Sequence, residues 1–115
     1  MALKITNENI NDLMVCALEG GINYWCGRVK ITKLPKDCGE DIIASDVISR
    51  GGELTLYDAE SDDKWILRKE NFLKGIEKTM VWGDFKSIED LIDNHDAETA
   101  DVLLQYALFD DIVFG

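Results

Sequence analysis

The chain has one histidine, one proline and three cysteines, and only 12 cationic residues against 23 acidic ones. It also lacks any apolar run near the ~18 residues that a membrane span needs. The opening, "MALKITNENI", contains no apolar stretch of the kind found in a signal peptide, so the chain is expected to stay in the cytoplasm with no membrane partner. Cys16, Cys26 and Cys38 are odd in number and show no CxxC spacing. They read as buried free thiols rather than metal ligands or a disulfide framework. With His95 as the single imidazole, a zinc site is not expected. There is no P-loop, and no glycine fingerprint opens a helix. No nucleophile motif accompanies His95, and nothing marks two of the 23 carboxylates as an acid–base pair. No catalytic residue, cofactor or metal is therefore expected. The shortage of positive charge leaves a net −11, which repels a phosphate backbone, so direct nucleic-acid binding is disfavoured. That acidity serves solubility, or it attracts a basic partner.

What is present is an ordinary globular mixture, 46% hydrophobic and 30% charged, in 115 residues that suit a single domain over 1–115. Ile10, Leu13, Met14, Ala17 and Leu18 form one helical stripe, which Thr6 or Asn7 can cap and Gly20-Gly21 ends through a left-handed backbone. "INYWCGRVKIT" reads as a strand, and Pro35 and Gly39 bracket a loop. "EDIIASDVISR" reads as a second helix with Ile43, Ala44, Val47 and Ile48 inward, stopped by Gly51-Gly52. "ELTLYDAE" and "KWILR" flank a polar turn and predict a hairpin. Phe72, Leu73, Ile76 and Met80 mark a third helix that stops near Gly83. Ser87 with Asp90 opens a short fourth helix, and Asp96 caps the last, which carries Ala100, Leu103, Leu104, Ala107 and Leu108. "DDIVFG" is a candidate edge strand. The fold class expected is α+β, a small antiparallel sheet of about three strands packed with four to five helices on one side.

Several stretches invite a chemical reading. "DAESDD" resembles a calcium loop, but the sixth and twelfth positions counted from Asp58 are Asp63 and Lys69, where an EF-hand needs Gly and Glu. It reads as a solvated turn. Arg50 stands beside Gly51 and Gly52 at a helix end. There it complements the helix dipole and pairs with a carboxylate, or it presents a planar donor fork to an anionic ligand. If "INYWC" is a strand, Ile22, Tyr24 and Cys26 share the core face while Asn23 and Trp25 share the other. Trp25 is then covered by a helix or is a contact anchor. Trp65 shares a face with Leu67 and belongs to the core, whereas Trp82 lies beyond the last apolar position of its helix and is expected at the surface.

Taken together, "ALEGGINYWC", "ISRGGELTLYDAESDDKW", "FLKGI" and "YALFDDIVFG" resemble a family of short proteins from bacteriophages and prophages. The family carries no activity that could be transferred to a residue. The resemblance implies a small accessory factor in the cytoplasm of a host bacterium, of the sort that occupies a host defence protein or sequesters a nucleotide signal. Two non-enzymatic expectations follow. In the first, the acidic surface and an exposed aromatic engage a host protein with a basic surface. In the second, Arg50, Gly51, Gly52 and an aromatic face hold a nucleotide-like small ligand. Asn23, Trp25 and Trp82 complete the candidate contact residues, and a homo-oligomer is compatible with either expectation.

Overall fold

The Thr6 hydroxyl accepts the Asn9 amide at 3.0 Å while Asn9 Oδ1 accepts the Thr6 amide at 3.1 Å. This reciprocal cap starts helix α1 (Asn7–Cys16) and satisfies two backbone donors that the helix itself leaves unpaired. The computed structural model containing this helix describes residues 5–36 and 42–115. The stripe Ile10, Leu13, Met14 and Ala17 is buried as its spacing predicts, and a π-helical turn (Ala17–Gly21) prolongs the helix. Gly21 does not end it through a left-handed backbone, since among the described residues the glycine of positive φ is Gly51. A Cβ on Gly21 would lie 2.8 Å from the carbonyl oxygen of Ala97, so the requirement there is close approach.

The strand predicted from Ile22 begins only at Cys26. The Trp25 and Cys26 amides both donate to the Ile22 carbonyl, at 3.1 and 2.8 Å, which folds residues 22–25 into a turn. Strand β1 (Cys26–Lys33) follows, then a short helix α2 (Ala44–Val47), strands β2 (Glu53–Asp58) and β3 (Lys64–Leu67), and helices α3 (Lys69–Trp82), α4 (Ile88–Asn94) and α5 (Ala97–Phe109). The second helix is thus much shorter than expected, and Ile43, expected inward, is exposed just before it. Cys38, Gly39 and the start of that predicted helix lie outside the described residues. Segment 110–115 is not a strand.

The sheet is antiparallel in the order β1-β2-β3 and meets the α+β expectation. Its register stacks Val29, Leu56 and Trp65 in one row and Ile31, Leu54 and Leu67 in the next, all on the helix-packed face. Leu54, Leu56 and Leu67 are fully buried there, with Phe72 and Ile76 of α3, Leu91 of α4, and Leu103 and Leu104 of α5 in the same cluster. Each such side chain contributes about 1.5–3 kcal/mol of transfer free energy. Helix α5 is the central element, and Gly75 lets α3 rest directly on it: a Cβ there would meet the Leu103 carbonyl oxygen at 2.7 Å and the Ala107 amide at 2.9 Å. The other face of the sheet carries Arg28, Lys30, Tyr57, Lys64 and Ile66, of which Tyr57 is half-buried and the rest exposed.

Candidate functional site

Helix α2 ends in a Schellman arrangement. The Gly52 amide reaches the Val47 carbonyl at 2.9 Å and the Gly51 amide the Ile48 carbonyl at 3.1 Å, with Gly51 at φ 90°. Gly52 is required on different grounds: a Cβ there would strike the Lys33 carbonyl oxygen and Val47 Cγ1, both at 2.6 Å. The turn projects Arg50 into a groove of about 510 Å³ lined also by Asn7, Lys33, Leu34, Pro35, Lys36, Ser49, Gly51 and Lys69. A second hollow of about 420 Å³ shares Lys33, Gly51 and Lys69 with it and adds Gly52, Glu53, Arg68, Glu70 and Leu73. Among the described residues, five of the chain's 12 cations therefore line these two adjoining hollows, against two carboxylates.

The ion pairs explain why this charge is available. Among the described residues the salt bridges are Arg68–Glu53 at 2.9 Å, Lys86–Asp84 at 3.1 Å, and Lys78–Asp110. Lys33, Lys36, Arg50 and Lys69 appear in none of them. Glu53 accepts from the Thr32 hydroxyl at 2.7 Å and from Arg68 Nε at 2.9 Å. The Thr32 hydrogen bond first, then Arg68, holds its carboxyl below the ordinary range, so it stays ionised as the partner of Arg68. Asn7 and Lys69 are also the first residues of α1 and α3, so two positive helix ends add to the field. Arg50 is thus not neutralised by a described carboxylate, and the donor-fork alternative is the one its surroundings favour.

Among the described residues that line the groove none is aromatic, so they do not supply the aromatic face expected to complete a nucleotide pocket. Asn23 is exposed, and its Nδ2 donates to the Glu19 carbonyl at 3.3 Å across the preceding turn. Trp25, 2% exposed, is covered by a helix rather than free to anchor a partner. Its neighbour Tyr24, assigned to the core by strand alternation, is 56% exposed, because a turn does not alternate faces. Trp82 is 39% exposed at the end of α3, beside Val81 at 82%. Those two residues, with Tyr106, sit in a rim of Glu77, Lys78, Asp110 and Asp111, away from the groove.

One constellation lay outside the sequence reading. Asp101, buried on α5, accepts from the Tyr24 hydroxyl at 2.6 Å, from Trp25 Nε1 at 2.7 Å and from Gln105 Nε2 at 2.9 Å. Gln105 Oε1 in turn accepts the amides of Val113 and Phe114, at 2.8 and 2.7 Å. The signal available was an Asp and a Gln at i, i+4 within an otherwise apolar helix. The network joins the 22–25 turn, α5 and the final segment, and it is satisfied internally. Burial pushes the thiols of Cys26 and Cys16 above their ordinary pKa, Cys16 further under the charges of Asp96 and Glu19, which makes both poor nucleophiles. Among the described residues no group of three or more His, Cys, Asp or Glu side chains is placed to hold a metal ion, and no helix is long and apolar enough to cross a membrane. Compared with known protein families, curated proteins and solved structures, the chain matches none.

Proposed function

We propose that the protein acts by binding rather than by catalysis, and that the groove at Arg50 and Gly51 holds a small phosphate-bearing molecule, a nucleotide-like signal gripped by its phosphates. The observation that carries this reading is the set of four cations, Lys33, Lys36, Arg50 and Lys69, that line one groove without a described ion pair in a chain of net charge −11. Arg supplies a planar fork for phosphate oxygens, and the lysines add mobile point charges. Sequestration is a role that the phage accessory context would suit. The test is calorimetric titration with pyrophosphate and with a nucleoside diphosphate, on the native chain and on Arg50→Ala and Lys69→Ala. Loss of a charge-assisted hydrogen bond costs roughly 1.5–3 kcal/mol, at least a tenfold drop in affinity, while the melting temperature stays put. Equal affinity in the native chain and both variants would end the assignment.

A second reading keeps the protein-partner expectation. Val81 and Trp82 protrude together at the end of α3, and around them Glu77, Asp110 and Asp111 outnumber Lys78, the ion-pair partner of Asp110. An apolar knob in an acidic rim suits a basic protein segment, a host defence protein included. Trp82→Ala should weaken such a complex and leave phosphate binding unchanged; a complex captured equally well by Trp82→Ala would count against this face.

A further inference from the structure

The open face of the sheet has a composition unlike the rest of the molecule. The register places Arg28, Tyr57 and Lys64 in one row across the three strands, and Lys30, Thr55 and Ile66 in the next. Arg68 follows directly after β3 and pairs with Glu53 at the near end of β2. Arg28, Lys30 and Lys64 have no described ion pair. Among these side chains sit the Tyr57 ring and Ile66, which is 47% exposed. The guanidinium carbon of Arg28 lies over the Tyr57 ring, 4.2 Å from its centre, a cation–aromatic contact.

We infer that this face is a binding surface for single-stranded nucleic acid. Lys30, Lys64 and Arg68 would meet backbone phosphates, while the Arg28 guanidinium on the Tyr57 ring, with Ile66 beside it, receives unpaired bases. The net −11 argues against nucleic acid only if the charge acts as a whole. The molecule is 22 Å through its thinnest axis, and at physiological salt a charge is screened over about 8 Å. The acidic residues of the helix layer therefore act weakly on an anion lying on the opposite side, and the local cations decide. The cation–aromatic contact and the apolar neighbour favour a nucleic acid over an acidic peptide, because every base offers a planar face and a carboxylate side chain does not. At the Arg28–Tyr57–Lys64 row the surface dips into a hollow of about 470 Å³, which suits a base already out of a duplex. Asp58, at the end of β2, and Asp62, in the turn that follows, line the same hollow as Arg28, Tyr57 and Lys64 and with Glu60 and Asp63 limit the path there; at the other end the path stops at the Arg68–Glu53 pair, short of Arg50.

The test is fluorescence anisotropy with a labelled twelve-residue oligothymidylate and the matching oligouridylate, on the full chain. Binding is expected at ~50 mM salt, weakening roughly tenfold or more by ~200 mM if about three phosphates are neutralised. The Lys30→Ala/Lys64→Ala variant should bind at least tenfold more weakly with an unchanged thermal melt. Tyr57→Ala should lose roughly fivefold or more, the size of one base–aromatic stack, and Tyr57→Phe should restore it. Inorganic polyphosphate should be insensitive to Tyr57→Ala. Arg50→Ala, confined to the groove, should leave oligonucleotide affinity within about twofold, so this surface and the phosphate groove can fail separately. No binding at ~50 mM salt, or oligonucleotide binding indifferent to both the lysine pair and Tyr57, would overturn the proposal.

Discussion

Trp25 lies flat on Phe114, with ring centroids 5.1 Å apart and planes 2° from parallel, although the two residues are 89 positions apart in the sequence. Trp65 and Phe109 meet the same pair edge-on, Trp65 standing 4.9 Å from Phe109 at 85°. The cluster ties the turn before β1 and strand β3 to the final segment. Phe114→Ala should destabilise the protein by about 2 kcal/mol, below the 3–5 kcal/mol of a fully buried Phe because Phe114 is only half-buried. Denaturant unfolding followed by tryptophan fluorescence measures this; a midpoint within experimental error of the native one would remove the final segment from the stabilising structure.

Tyr24 provides an alkaline test. Its pKa is pushed up to about 12, first by partial desolvation, then by its hydrogen bond to Asp101 and the charge of that carboxylate. The folded value exceeds the unfolded one of about 10. The stabilisation is therefore complete below pH ~10 and is lost as the pH climbs through 10 towards 12. Absorbance of tyrosinate against pH should show one late-titrating group that disappears in Tyr24→Phe, and the variant's melting temperature should fall less steeply over that window than the native chain's. Identical titration curves would refute the assignment.

Asp96 provides the acid-side counterpart. Its carboxylate accepts the Thr99 amide and hydroxyl, each at 2.9 Å, at the start of α5, and these bonds hold its pKa below the usual value. A depressed folded pKa means that the contribution is present above the unfolded carboxylate range and lost as pH falls through the folded one. Asp96→Ala should cost about 0.5–2 kcal/mol at neutral pH and much less once the pH has fallen through the depressed folded value and the native cap is protonated. A difference that persists undiminished in acid would mean that the cap acts through shape rather than charge.

Two adjacent glycines should respond in opposite directions. Nothing lies within 4 Å of a Cβ on Gly20, and its φ is not positive. Gly20→Ala should stabilise by about 0.4–1 kcal/mol through the unfolded chain. Gly21→Ala would press on the Ala97 carbonyl and should destabilise. Thermal melts of the two single variants decide this, and a shift of the same sign in both would be inconsistent with the packing described.

The elements were legible where a period ran long enough to be counted. The α1 stripe, the β2–β3 hairpin, the caps at Thr6, Ser87 and Asp96 and the surface position of Trp82 all follow from local chemistry. The errors cluster where four or five residues supported two geometries. "INYW" has the β-branched and aromatic content of a strand, yet two amides converge on the Ile22 carbonyl and the faces invert, which exposes Tyr24 and buries Trp25. "DDIVFG" was strand-like because its amides need acceptors, but two of them find one in the side chain of Gln105. The Arg50–Gly51–Gly52 corner was visible. Its companions were not, because Lys33 and Lys69 reach it from separate elements and no local pattern records that meeting. Net charge is likewise a sum over the chain, blind to which side of the sheet each charge occupies.

Gly75 has a consequence for distance. With no side chain between them, α3 and α5 touch backbone to backbone, so α3 cannot slide without lifting off its neighbour. Lys69 opens that 14-residue helix at the groove and Trp82 closes it at the acidic rim, about 20 Å away. Helix α3 therefore behaves as a ruler: the cationic groove at its start and the Val81–Trp82 rim at its end are held at a fixed separation.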